Sequence, residues 1–421
     1  MNKTVTLKKV AKYSEDRIDI NSVNIYNYIT TDNMLQNKLG VEEVVSMPPQ
    51  DGNVTAYYKD NILIGNIRPY LKKIWFATKD GGNSADVLTL QVKQGYDPKF
   101  IYYTLYRDDF FIHMMKGSKG TKMPRGDKNQ IMDFLIPNFD LSTQQKIADV
   151  LSSLDKKIEL NNKINTELES MAKTLYDYWF VQFDFPDENG KPYKSSGGKM
   201  VYNEELKREI PEGWEIKTIS DLIGNYKGGD WGKEQQEGNY IEKVSCIRGA
   251  DINGLNGISE LKAPERFILE KNTKKILKAN DIIVEISGGS PTQSTGRLTF
   301  VIDETLRRFN TSVICSNFCK SFSLQNQNYF YTFIYTWNML YDNRVLFGWE
   351  GKTSGLKNLL FDSFVEKYMI VLPDEKVNNT FFTKVNAIHK KKQTNLQQNQ
   401  ELVKLRDWLL PMLMNGQVKV K

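Results

Sequence analysis

Cysteine and histidine are nearly missing from this 421-residue chain, which has three of the first (Cys246, Cys315, Cys319) and two of the second (His113, His389). So few, so scattered, they cannot form a disulfide framework or a local four-ligand zinc site, and no metal is expected. Long apolar runs are missing too. No 18-residue apolar stretch occurs, and the opening residues Met1–Val5 lack the apolar segment of a signal peptide. A secreted or membrane-spanning protein is therefore disfavoured and the cytoplasm expected. Nor is there a large charge excess: 57 Lys and Arg against 51 Asp and Glu leave +6, which permits a polyanionic partner without demanding one.

Recognisable catalytic patterns are also wanting. Gly351-Lys352-Thr353 resembles the end of a phosphate-binding loop, but Leu346 stands where that loop needs glycine. The turn Ser287–Pro291 follows a strand-like run yet opens into Thr292–Arg297 rather than a helix, which argues against a dinucleotide site. Neither histidine has an evident Ser or Cys partner, and no Asn/Asp-Pro-Pro-aromatic tetrapeptide is present for methylating a flipped base. A binding protein without its own active site is expected.

What the chain does have is internal repetition and a packed-core composition, with 21 Tyr, 21 Phe and 7 Trp. Val5–Val10 matches Trp214–Ile219 at an offset of 209, and Ile62–Ile64 matches Ile282–Val284 at 220. Phe100–Tyr106 matches Tyr329–Tyr335 at 229, and Asn165–Leu168 matches Asn399–Leu402 at 234. The rising offset predicts a duplication with about 25 residues inserted across the second copy.

Each copy is a mixed segment followed by a long polar helix. In the first helix, Ser142 with Gln145 reads as a capping box. A four-three alternation then places Ile147, Leu151, Leu154, Ile158, Asn161, Asn165, Leu168 and Leu175 on one seam. The 234 offset gives the second seam as Phe381, Val385, Ile388, Asn395, Asn399, Leu402 and Leu409, with Pro411 expected to end that helix. A lone helix of this kind could be a surface helix; two with matching polar interruptions predict an antiparallel pair. The fold class expected is α+β: two mixed α/β domains separated by two long helices that pair as an antiparallel coiled coil, in a pseudo-two-fold repeat. Boundaries follow at 1–141 for the first domain, 142–180 for its helix and 181–212 for a turn-rich connector. The second domain is 213–373, its helix 374–411 and the tail 412–421.

Basic residues gather in loops at equivalent points. Lys116, Lys119, Lys122, Arg125 and Lys128 share a glycine-rich stretch with one acid, and Phe347–Lys357 in the second copy is likewise rich in Gly, Lys and hydroxyls. Each could be an ordinary solvated loop. Their recurrence favours binding, since such loops can lay donors on phosphates and base edges.

This layout resembles the DNA-specificity subunit of type I restriction–modification systems. The resemblance rests on Gln144–Asp155 with Leu175–Phe180, on Pro211-Glu212-Gly213-Trp214, and on Leu405–Gln417. It implies that the mixed domains are target-recognition domains, each reading one half of a split, asymmetric DNA sequence in the major groove, with half-sites about 10 bp apart if both address one face. It implies a non-catalytic chain that carries no cofactor and works with two kinds of partner. These are an adenine methyltransferase using S-adenosylmethionine, in two copies and docked on the paired helices, and an ATP- and Mg-dependent translocase–nuclease. The residues expected at double-stranded DNA are Asn66, Arg68, Tyr70, Lys72, Lys116, Lys119, Lys122, Arg125 and Lys128 in the first domain. In the second they are Ser287, Ser290, Thr292, Arg297, Trp349, Lys352, Ser354 and Lys357. A two-domain coiled-coil adaptor with no DNA role is the alternative.

Overall fold

The computed structural model describes residues 4–42, 48–288, 293–353 and 356–420. It divides into two compact units, Met1–Ile158 with Glu401–Lys421, and Glu159–Gln400. The long helices Leu141–Tyr176 and Glu375–Met414 each contribute to both.

In the first unit the strand Thr4–Thr6 pairs antiparallel with Leu135–Pro137, and the turn of helix Leu7–Val10 follows it. A four-stranded antiparallel sheet runs in the order Ala11–Tyr13, Val87–Val92, Ile62–Gly65, Ile74–Phe76. Its centre is the apolar run Ile62–Ile64, buried on both faces as an uninterrupted hydrophobic strand should be. Asp97 and Pro98 start the helix Pro98–Leu105 against this sheet, the Asp97 carboxylate accepting from the Phe100 N–H at 2.8 Å. The same core takes in Ile147 and Leu151 from one long helix and Leu410, Leu413 and Met414 from the other.

The second unit repeats this plan. Glu215–Thr218 pairs with Met369–Leu372, the helix Ile219–Leu222 follows under a Thr218/Asp221 capping box, and the sheet order is Ile223–Gly228, Cys319–Leu324, Asp281–Glu285, Leu298–Val301. Equivalent hydrogen bonds give the true correspondence. Leu7 N–H donates to Phe134 O and Ile219 N–H to Tyr368 O, so the copies begin 212 positions apart, not 209. Ile62 opposes Leu90 and Ile282 opposes Phe322, which keeps the strand at 220. The Tyr103 hydroxyl bonds Asp155 on the first long helix and that of Tyr335 bonds His389 on the second, so the aromatic helices match at 232, not 229. Both sequence matches slipped by three residues; in the aromatic helices that is nearly one helical turn, and apolar residues three apart share a helix face and resemble one another when displaced, whereas the first match laid the strand Glu215–Thr218 partly over the helical turn Leu7–Val10.

Two helix ends also differ from expectation. The first is capped by Asp140, whose carboxylate accepts from Thr143 N–H at 2.8 Å, rather than by Ser142; these bonds hold the Asp140 carboxyl below its usual range. The second does not stop at Pro411 but continues to Met414. Proline forfeits its own N–H bond and crowds the carbonyl one turn back, and burying Leu413 and Met414 in the core outweighs that loss.

On the first helix Ile147, Leu151, Asn161 and Asn165 are buried, with Leu154, Ile158, Leu168 and Leu175 half-buried. On the second Phe381, Val385, Asn395 and Asn399 are buried, and Ile388, Leu402 and Leu409 half-buried. Asn161 donates to Asn399 at 2.8 Å and Asn395 to Asn165 at 2.9 Å, so numbers fall on one helix as they rise on the other: the pairing is antiparallel. By the 234 offset Asn161 corresponds to Asn395 and Asn165 to Asn399, so one contact is made twice, as in an isologous interface. The second helix also buries His389, Gln393 and Leu396 on a flank beyond the seam, where Arg308 donates to Gln393 at 2.8 Å. Asn165→Ala should cost about 1–3 kcal/mol by stranding Asn395, whereas Asn165→Leu with Asn395→Leu should recover most of it; urea melts of the three proteins check this.

Candidate nucleic-acid interface

Loops far apart in sequence meet on a small platform in the first unit. The chain leaving the strand Ile62–Gly65 places Ile67 beside Arg125, which exchanges backbone bonds with Lys119 at 3.0 Å in both directions. Arg68 N–H donates to Pro124 O (2.7 Å), Gly126 N–H to Asn66 O (3.1 Å), and Asn66 N–H to Asp86 O (2.9 Å). Gly120, at φ +95°, supplies the left-handed turn of the 119–125 hairpin, and Gly126 must lack a side chain because a Cβ would lie 2.8 Å from Asn66 Oδ1.

On this frame Tyr70, Lys116, Lys119, Lys122, Arg125 and Lys128 are exposed, so two of the expected loops form one basic surface. Acids thread it: Arg125 pairs with Asp86, Lys119 lies 3.5 Å from Asp127, and Lys72 shares Asp108 with Lys38 at 2.9 and 2.7 Å. Among the described residues Lys116, Lys122 and Lys128 meet no carboxylate within ion-pair distance; Lys128 sits over the Tyr13 ring. Arg68 is half-buried, with its Nε sealed and unbonded. Asn66 departs from expectation. It is 3 % exposed with its Oδ1 facing inward, so it shapes the loop and presents nothing to a base.

The second unit builds the same platform from Ser287–Gly288, Leu356–Leu359 and Glu350–Thr353. Ser287 opposes Asn358, which opposes Gly351; Leu359 N–H donates to Ile286 O, and Ile286 N–H to Phe318 O. Position for position, Asn358 therefore stands where Arg125 does, Gly351 where Lys119 does, and Phe318 where Asp86 does.

The expected bases here are spent on the protein itself. Arg297 closes both arms of its fork on buried Glu285 (2.8 and 2.7 Å) and donates to Gly249 O (2.9 Å), leaving its side chain 14 % exposed. Lys357 reaches Glu350 at 3.4 Å with its side chain 12 % exposed, and Glu350 also accepts from Thr295 N–H at 2.7 Å. Both brace the platform and neither faces outward: strand pairing brings Arg297 beside Glu285 of the preceding strand, and the hairpin folds Lys357 back on Glu350 of its own loop. Ser287 is half-buried, as is Trp349, edge-on to Phe364 at 5.3 Å. Ser290, Thr292 and Ser354 lie outside the described residues, and Lys352 is described only by its backbone, opposite Lys357. Phe318, which the sequence did not single out, is exposed around the platform, as are Phe347 and Leu356 of the second loop. Asp86 and Phe318 lie in turns remote from the basic loops, and only strand order places them here.

Among the described residues no group of three or more His, Cys, Asp or Glu could hold a metal, and no helix is long and apolar enough to cross a membrane.

Comparison with known proteins agrees with this architecture. Residues 2–170 match the family model described as the type I restriction modification DNA specificity domain. The chain is 27 % identical over 334 residues to the type I restriction enzyme MjaIX specificity subunit of Methanocaldococcus jannaschii, covering 78 % of this chain and 71 % of that one. It is 23 % identical to the HindI specificity subunit of Haemophilus influenzae over 99 % of both chains. In fold it is similar to the crystal structure of the type I restriction–modification S subunit from M. genitalium, with a TM-score of 0.59 at 14 % identity, covering 98 % and 96 % of the two chains. With its duplicated mixed domains and paired helices, this chain is similar to the DNA specificity subunits of type I restriction–modification systems.

Proposed function

We propose that the two platforms read the two halves of an interrupted, asymmetric DNA target, one platform to each half. The observation that carries this reading is the platform built twice with unlike side chains: Arg125, Lys119 and Asp86 in one copy, Asn358, Gly351 and Phe318 in the other. A common frame supports a common task, and unlike donors and apolar groups suit unlike base pairs in the major groove. The paired helices serve as the docking surface for two copies of an adenine methyltransferase that brings S-adenosylmethionine. An ATP- and Mg-dependent translocase–nuclease joins that assembly in the cytoplasm.

The test is to co-express the chain with a matching methyltransferase subunit and map adenine methylation across the host genome. An interrupted motif with two unlike halves is expected. A co-purifying pair that leaves no motif, or a chain that neither joins the methyltransferase nor binds duplex at low salt, contradicts the proposal, and the second result favours an adaptor. Within the complex, Lys122→Ala should weaken binding to all sequences alike and lower the slope of log K against log salt by about 1, read by titration at several salt concentrations.

A further inference from the structure

We infer that the half-site facing the first unit contains a guanine read by Arg125, and that Asp86 positions the guanidinium for it. This rests on the reading that the platform faces DNA, and it adds the base and a second residue.

The backbone of Arg125 is pinned on both sides, to Lys119 and to Ile67, so its side chain departs from a fixed point. Its Nη2 donates to Asp86 Oδ1, and among the described residues the guanidinium makes no other hydrogen bond. One corner of the fork is held while its other donors are free, and the side chain is 57 % exposed. Asp86 is itself anchored, its carbonyl accepting from Asn66 N–H.

This arrangement suits a base edge better than a phosphate. A phosphate approaching Arg125 would meet the Asp86 carboxylate, like charge against like, whereas guanine presents two neutral acceptors, N7 and O6, that match a guanidinium fork. Phosphates have better partners nearby in Lys116, Lys122 and Lys128, which meet no carboxylate among the described residues. Arg297 shows the contrasting case, where the whole fork is consumed by Glu285 and Gly249 and nothing is left to read with.

The experiment uses the chain assembled with its methyltransferase, comparing Arg125→Ala, Arg125→Lys and Asp86→Asn by genome methylation map and by binding to duplexes varied one base pair at a time. At one position of one half-site, a guanine requirement should relax for all three variants, with discrimination falling about 10-fold or more for both Arg125 variants. The other half of the motif should stay intact, which also shows that each variant folds and assembles. Relaxation with Arg125→Lys, which keeps the charge, and with Asp86→Asn, which leaves Arg125 in place, is what a general loss of affinity would not produce. If Arg125→Ala instead weakens all sequences alike and lowers the salt slope by about 1, Arg125 is a phosphate contact and the guanine assignment falls while DNA binding by the platform stands. If the motif, affinity and salt slope are all unmoved, the platform does not face DNA there and both readings fall. Loss of both halves of the motif by Arg125→Lys would make the residue structural and likewise overturn the assignment.

Discussion

Arg297→Met will destabilise the unit Glu159–Gln400 by about 3–5 kcal/mol, because removing one member of a buried ion pair leaves the other charge without compensation. Glu285 is 6 % exposed, so its charge loses its compensation in a buried place once the guanidinium is gone. The bidentate pair lies at the root of the second platform and is tied to Gly249, where a Cβ would sit 2.4 Å from Glu285 Oε1. A urea melt should show this unit unfolding at lower denaturant. Replacing both partners, Arg297→Met with Glu285→Leu, should restore much of the loss, since a matched apolar pair avoids the desolvation of two charges. A change of under 1 kcal/mol for the single variant would mean that Glu285 finds solvent and that the pair does not brace the platform.

Stability of the same unit should also fall on acidification from about pH 6.5 to pH 4. His389 is buried, stacked on Tyr331 at 5.1 Å, edge-on to Phe300 and hydrogen-bonded to the Tyr335 hydroxyl at 3.0 Å. Burial pushes its imidazole down to about 4, with the Lys392 ammonium assisting and the Glu169 carboxylate opposing. Below its ordinary value near 6.5 the unfolded chain takes up a proton that the folded chain refuses, so unfolding is favoured as pH drops. The slope is about 1.4 kcal/mol per pH unit across the window, and the contribution levels off below pH 4. His389→Gln should flatten that part of the profile, measured as urea midpoint against pH; a wild-type profile with no slope there would contradict the burial of a neutral imidazole.

How much of this was legible in the sequence depends on the range of the interaction. The buried strand Ile62–Ile64 and the asparagine steps at 161, 165, 395 and 399 follow from local periodicity, and strand burial and helix pairing depend on little else. The repeat was visible, but its register slipped by three residues, in the aromatic helices because helical faces look alike. Only backbone bonds such as Leu7 to Phe134 and Ile219 to Tyr368 fix it. The platforms were half legible. Their loops stand out as basic and glycine-rich, yet which bases face outward is decided by the acids that strand pairing sets beside them: Glu285 and Glu350 consume Arg297 and Lys357, while Asp86 holds Arg125 at the surface. Polar burial on the second helix, at His389 and Gln393, was likewise hidden, since nothing in a helical repeat announces a partner such as Tyr335 or Arg308.

On the proposed function, each platform reads its own half of one target. That is tested most directly by mapping methylation for two variants of the assembled complex, Arg125→Ala on the first platform and Asn358→Ala with Phe318→Ala on the second. Each should relax bases in one half only, and the two halves affected should be different. Relaxation of the same bases by both variants, or an unchanged motif in both, would contradict it.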